Sequence, residues 1–321
     1  MKNLLKKSVV MLLTVVLLAA GVGCGQKAGE TSQKRFLTIA TGGTAGTYYP
    51  LGGAIAEVLN KNIEGMNATA ASTGASVANT NQLKGGDADI AFIQNDIAYY
   101  AVNGVEMFNG NKVEGLKALA SLYPETCQVV TLKKTGIQSV ADLRGKTVAV
   151  GAAGSGVEAN ARQILKAYGL TYDDINVKYL SFAEAASSLK DGNVDAAFLT
   201  AGFPTAAVQD ISAQHDVVIL PVDGDVREKL INDYPFYTKI TIPAGTYPKQ
   251  DKDVESIAVM AMLVTTDKMD ENLAYEATKA IFTNLDRLAA AHPIGKEINK
   301  QNAQKGLSIP LHPGAEKFFN E

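Results

Sequence analysis

From residue 35 onward, short apolar runs alternate with amphipathic ones. RFLTIAT (35–41) has the length of a strand, and Pro50 to Asn60 carries apolar residues at helical spacing. Pro50 falls near the first turn, where its missing N–H costs little. NATAAST (67–73) reads as another strand, SVANTNQLKGG (76–86) as a helix ended by glycines, and DIAFIQ (89–94) as a buried parallel strand. This alternation predicts right-handed βαβ units and a sheet covered on both faces.

The second half of the chain repeats the plan. TVAVGAAGSG (147–156) answers LTIATGGTAG (37–46) at an offset of 110, which sets Gly46 on Gly156. Each is followed by a helical run, AIAEVLN in one case and EANARQILKAYG in the other. LKDGNVDAAFLT (189–200) answers LKGGDADIAFIQ (83–94) at an offset of 106, with six of twelve residues identical. A period this long is not that of a solenoid. It predicts two similar α/β lobes, residues 35–127 with 256–321 in one and 128–255 in the other. YPETCQVVTLKK (123–134) is the expected first crossover and SIAVMAMLVTT (256–266) the return. Residues 270–290 have helical spacing, and the tail 306–321 opens irregularly at its prolines before a short helix.

Both halves place a loop of small residues between a strand and a helix. TGGTAGTYYPLGG (41–53) is one, GAAGSG (151–156) the other. Such loops expose backbone N–H groups, and the helix start adds a partial positive charge, so together they bind anions. In open α/β sheets ligands sit at the carboxyl ends of the strands. Two facing loops suggest capture of a small anion in a cleft between lobes. One such loop alone is equally well explained as a tight turn.

Charge and cysteine content narrow the setting. The 321 residues are 46% hydrophobic and 20% charged, with formal net charge −3, which reads as a soluble globular chain and argues against a nucleic-acid partner. Lys2, Lys6 and Lys7 precede the uncharged run VVMLLTVVLLAAGVG and then Cys24, the pattern of a secretory signal over residues 1–23 and an extracytoplasmic destination. Cys24 after small residues also suggests a lipidation site and a membrane tether, although Gly21 stands where such sites usually carry Leu; plain secretion fits as well. Residues 24–34 read as a flexible tether. Cys127, in an apolar run, reads as a buried inert thiol, and no disulfide framework, metal site or cofactor is expected.

Enzyme motifs fit less well. Gly154 to Ala159 (GSGVEA) matches a dinucleotide-binding fingerprint and keeps an NAD-binding enzyme as the alternative, but Asp173 and Asp174 precede the next strand instead of ending it. Gly145-Lys146-Thr147 resembles the end of a phosphate-binding loop, but Val140 replaces its first glycine and a strand follows. No Gly-x-Ser-x-Gly elbow surrounds Ser155. His292 and His312 each precede Pro and read as turn residues; His215 has no partner pattern.

LTIATGGTAGTYYPLGGAIAEVL, DADIAFIQND, the Gly-Ser-Gly loop, IPAGTYPKQDKDV and IPLHPGAEKFF together resemble the TAXI family, the extracytoplasmic solute receptors of TRAP transporters. The resemblance spans nearly all of the chain after the signal. It implies a two-lobed, type II periplasmic-binding-protein fold, a small carboxylate ligand of the glutamate or dicarboxylate class, and delivery to TRAP permease subunits without ATP hydrolysis. By position it implies that Thr44, Gly46, Thr47 and Tyr48 line one side of the cleft and Ser155, Gly156 and Val157 the other. Gln94, Thr200 and Gly202 follow at the strand ends. Val157 stands where the family often carries Thr. Of the adjacent Tyr48 and Tyr49, Tyr48 is expected to face the cleft. Gln94 has a second reading as a cap of the helix starting at Asn95, and Ser155 one as a helix N-cap.

Overall fold

The computed structural model describes residues 35–321. The signal at 1–23, the expected lipidation site Cys24 and the tether to residue 34 lie outside the described residues.

Ten strands form one sheet: β1 Arg35–Ala40, β2 Met66–Ala71, β3 Ile90–Gln94, β4 Leu116–Leu132, β5 Thr147–Ala149, β6 Asn176–Lys178, β7 Ala196–Ala201, β8 Val217–Leu220, β9 Thr238–Ile242 and β10 Val254–Thr266. Their order is β2-β1-β3-β10-β4-β7-β5-β6, with β8 on β4 and β9 on β10. Parallel triplets sit at both ends, β2-β1-β3 and β7-β5-β6. The long strands β4 and β10 run antiparallel between them. The first part of β4 pairs β10, and from Thr126 onward β4 turns to β7 and β8. The crossover expected at 123–134 therefore starts earlier, at Leu116, in spite of Pro124. Pro124 faces Met260, next to a register irregularity at Ala261/Met262, where a strand tolerates a lost donor.

Period-two alternation fills a core on each face of the sheet. In β3, Ile90 and Phe92 join one core while Ala91 and Ile93 join another. In β7, Ala196 and Phe198 point one way, Ala197 and Leu199 the other. Helices cover both faces: α1 Tyr48–Asn62, α2 Ser76–Gly85, α3 Asn95–Asn103, α4 Gly156–Ala167 and α5 Phe182–Asp191 matter most for the site. The run at 270–290 is two helices, Glu271–Phe282 and Leu285–Ala291, broken at Thr283-Asn284. Asn284 turns its side chain back to the Ala280 carbonyl (2.8 Å), a local bond that competes with helix continuation. His292 and His312 are N-caps rather than plain turn residues: the Nδ1 of each accepts a backbone N–H two residues on, both at 3.2 Å.

The internal repeat is real but its register differs by one in the strands. Ala40 pairs Ala91, and Ala149 pairs Ala197. Ala91 and Ala197 keep the offset of 106, while Ala40 and Ala149 are 109 apart. That sets Thr47 on Gly156 and Gly46 on Ser155, one residue from the alignment by glycines. The ladder, not the glycine, fixes the equivalence.

Candidate functional site

A cavity opens where the carboxyl ends of β1, β2, β3, β5 and β7 meet. It encloses about 590 Å³, counting its open mouth. Its lining includes residues at the starts of four helices: Tyr48 of α1 with its N-cap Thr47, Ser76 of α2 with its N-cap Ala75, Gly156 and Val157 of α4, and Phe182 of α5 with its N-cap Ser181. The two glycine loops supply α1 and α4 as their sequence suggests. The α2 and α5 starts are additional. Four helix starts around one cavity place four partial positive charges there. The amides of Gly156 and Val157 donate to no group among the described residues, so they are free to meet a ligand.

Local bonds hold these loops in place. Asn79, fully buried in α2, donates to the carbonyls of Thr41 and Phe92, both at 2.7 Å, and accepts from Thr73 Oγ1 at 2.5 Å. One side chain thus ties the ends of β1 and β3 to the loop after β2. Gly52 lets α1 lie close to β1, since a Cβ there would come within 2.4 Å of Thr41 Cγ2. Gly151 has φ +98° and turns the chain at the end of β5. The two sides of the cavity touch: the amides of Val77 and Ala78 both donate to Gly154 O at 3.1 Å, and Thr47 Oγ1 donates to Gly202 O at 3.3 Å.

Of the residues singled out in the sequence, Gly46, Thr47, Tyr48, Gln94, Ser155, Gly156, Val157 and Thr200 all line this cavity. Thr44 and Gly202 do not. Thr44 is exposed at the turn of its loop, where the side chain points to solvent. Gly202 is buried against Ile294, which a Cβ would approach to 2.8 Å. Tyr48 is buried while Tyr49 is 37% exposed. Gln94 sits at the N-cap position of α3 but makes no side-chain cap bond; its Oε1 is buried without a partner. Ser155 is the N-cap of α4: Oγ donates to Ala152 O at 2.7 Å and accepts from Glu158 N at 3.3 Å. Its hydroxyl proton is therefore engaged, and the adjacent amides of Gly156 and Val157 are the free donors at this helix start. Arg162 is engaged elsewhere, with Glu106 at 3.1 Å and Glu158 at 3.4 Å.

Sequence reasoning missed Glu125. It lies on β4, lines the cavity and is 2% exposed. Tyr48 Oη donates to its Oε2 at 2.9 Å. Burial pushes its carboxyl up to about 8. Behind the cavity, burial likewise raises Asp96 to about 7. Asn160 Nδ2 donates to Asp96 Oδ2 and to Tyr237 Oη, and Tyr237 continues the chain of bonds to Gln163. Cys127 is buried and its thiol is pushed up to about 12, again chiefly by burial. It has the inert environment expected of it.

No Lys, Arg or His lines the cavity among the described residues. The dinucleotide reading loses its second requirement: β6, the strand after the GSGVEA loop, ends at Lys178 and is followed by Tyr179, where an acid would be needed.

A family model described as the NMT1-like family matches residues 39–321. The chain belongs to the NMT1-like family. Solved structures are similar to this NMT1-like chain. A protein of Bordetella bronchiseptica RB50 is 21% identical, with TM-score 0.55 and 89% of each chain covered. PhnD1 from Prochlorococcus marinus, solved in complex with methylphosphonate, is 11% identical with TM-score 0.53, covering 82% of this chain and 88% of its own. The periplasmic aliphatic sulphonate binding protein SsuA from Escherichia coli is 18% identical with TM-score 0.46, covering 90% and 84%. The α/β fold, one mixed sheet with helices on both faces, is shared with the Bordetella bronchiseptica protein and with PhnD1.

Proposed function

We propose that this NMT1-like chain is an extracytoplasmic solute receptor. It captures a small anion in the cavity and delivers it to a membrane permease. The observation that carries this reading is the convergence of four helix starts on one cavity that no cationic side chain lines among the described residues. Helix starts bind an anion through backbone N–H groups and oriented dipoles. The methylphosphonate held by PhnD1 supports the class of ligand, a compact anion, on a related fold. The resemblance to TAXI receptors narrows the class to carboxylates of the glutamate and dicarboxylate kind and the partner to a TRAP permease. Cys24 is the proposed lipid anchor to the outer face of the membrane.

Residues 35–127 with 256–321 form one proposed lobe and 128–255 the other. They close about β4 and β10, the two strands shared by both ends of the sheet. The ligand favours the closed form because only there do the α1/α2 starts and the α4/α5 starts reach it together.

Thermal unfolding tests the reading. The protein is unfolded, refolded to strip bound solute, and screened with glutamate, 2-oxoglutarate, succinate, fumarate, methylphosphonate, neutral amino acids and sugars. A ligand at a hundred times its dissociation constant adds about 2.7 kcal/mol. A shift confined to carboxylates is expected. A shift with methylphosphonate alone would keep the anion receptor and replace the carboxylate class. A shift with sugars alone would overturn the anion reading.

A further inference from the structure

Apart from Tyr48, Glu125 is the one ionisable side chain lining the cavity among the described residues. An acid is an odd choice for a site built to hold an anion. Its position is also closed off from water, at 2% exposure. The groups that face it are Tyr48 from α1, Asp96 from the start of α3, and Tyr123 and Cys127 from its own strand. All of these are neutral or acidic. The Gln94 amide at the end of β3 also donates towards Glu125, while its Oε1 is buried without a partner.

Two anions cannot share such a cavity at low cost. The helix starts offset one negative charge. A second, on Glu125, would have only neutral donors, the hydroxyls of Tyr48 and Tyr123 and the Gln94 amide, and no cation. Two carboxylates in one site resolve the conflict by keeping one proton between them. A protonated Glu125 changes from a repelling group into a donor.

Resting on the reading of the cavity as an anion site, we infer that Glu125 is its specificity-determining residue: its carboxyl is protonated in the complex and donates a hydrogen bond to the captured anion. Tyr48 Oη holds Oε2, so the proton sits on Oε1. Where the free protein has Glu125 ionised, capture draws one proton from the solvent. Selection then favours ligands with an acceptor oxygen at this point over those with an ammonium group.

Isothermal titration calorimetry with succinate and 2-oxoglutarate, in two buffers of different ionisation enthalpy, counts that proton. The expected result is close to one proton taken up at about pH 9, with affinity falling towards tenfold per pH unit above about pH 8. Glu125→Gln keeps a donor and cannot titrate, so its affinity is expected to be somewhat weaker at pH 7 and flat with pH. Glu125→Ala should lose about tenfold or more. Asp96→Asn should keep the slope, since Asp96 does not line the cavity. Flat wild-type affinity with no proton uptake would overturn the inference while leaving the receptor standing. So would a slope abolished by Asp96→Asn instead of Glu125→Gln. Binding of glutamate that Glu125→Gln destroys would make Glu125 an ionised partner of the ligand's ammonium group and also overturn it. Failure of every anion to bind the wild type at pH 6 would overturn the receptor reading and this inference together.

Discussion

At Gly156 one added methyl group has no room. A Cβ there would lie 1.8 Å from Gln94 Oε1, 2.5 Å from Gln94 Cδ and 3.1 Å from Ile97 Cγ1. Gln94 Oε1 is the far end of a flexible side chain, so the fold can accommodate the change by swinging Gln94 away from α4. That movement opens the contact between the two sides of the cavity. Gly156→Ala is therefore expected to weaken binding of the panel's best ligand by about tenfold or more, the scale of one lost buried hydrogen bond. The melting temperature of the free protein should stay within a few degrees, because Ala is a better helix former than Gly. Calorimetry and a thermal scan read the two effects separately, and unchanged affinity would remove Gly156 from the site. At this scale much was legible: a glycine after a strand and before a helix, repeated in both halves, points to the cavity. Glu125 was not legible. It is a lone acid in YPETCQVV, with no partner at any regular spacing. Its burial comes from pairing with β10, where it faces Val259, and from Tyr48, 77 positions away. Thr44 also shows the limit, since composition marks a loop but not which of its residues forms the exposed tip.

Among elements, the cavity depends on helix starts, and these were half visible. The α1 and α4 starts follow glycine loops that recur at matched positions. The α5 start carries a capping box, Ser181 with Glu184, a signature of helix onset but not of a ligand. The α2 start has no side-chain cap at all: its N-cap, Ala75, has φ 71°, a conformation that gives no sequence signal in a residue without polar atoms. Only the sheet order brings these four starts together. The C-terminal helix Pro313–Phe319 makes a sharper demand on packing. A Cβ at Gly314 would lie 2.1 Å from Glu271 O and 2.7 Å from Tyr275 N. Both are backbone atoms of Glu271–Phe282 and cannot rotate away. Gly314→Ala is expected to destabilise the protein by about 1–3 kcal/mol, the cost of overpacking. The denaturant midpoint should fall at an unchanged slope, and an unchanged midpoint would mean that the two helices separate freely.

For the whole molecule, the two buried acids set how stability depends on pH. Burial raises Glu125 to about 8 and Asp96 to about 7, both above the values of exposed carboxyls. Below about pH 3 the folded and unfolded chains hold both protons, so neither group disfavours folding. As pH rises, the unfolded chain releases these protons first, while the folded chain keeps them. Folding is then opposed by up to about 1.4 kcal/mol per pH unit and per group. The loss continues until the folded groups also ionise, near pH 7 for Asp96 and near pH 8 for Glu125. Exposed acids act in the opposite sense. Glu57, Asp174, Glu184, Asp216 and Glu228 are lowered by hydrogen-bonding or charged partners, so their stabilisation disappears as pH falls through the acid range. Stability should therefore be greatest near pH 5 and decline towards pH 8. Denaturant midpoints at pH 5, 6, 7 and 8 measure this directly. Glu125→Gln should remove the part of the decline that extends to about pH 8, and Asp96→Asn the part that ends near pH 7. A wild-type midpoint that is flat or rising from pH 5 to 8 would mean that both carboxyls ionise in the folded protein at little cost. Glu125 would then be an ordinary anion facing the cavity.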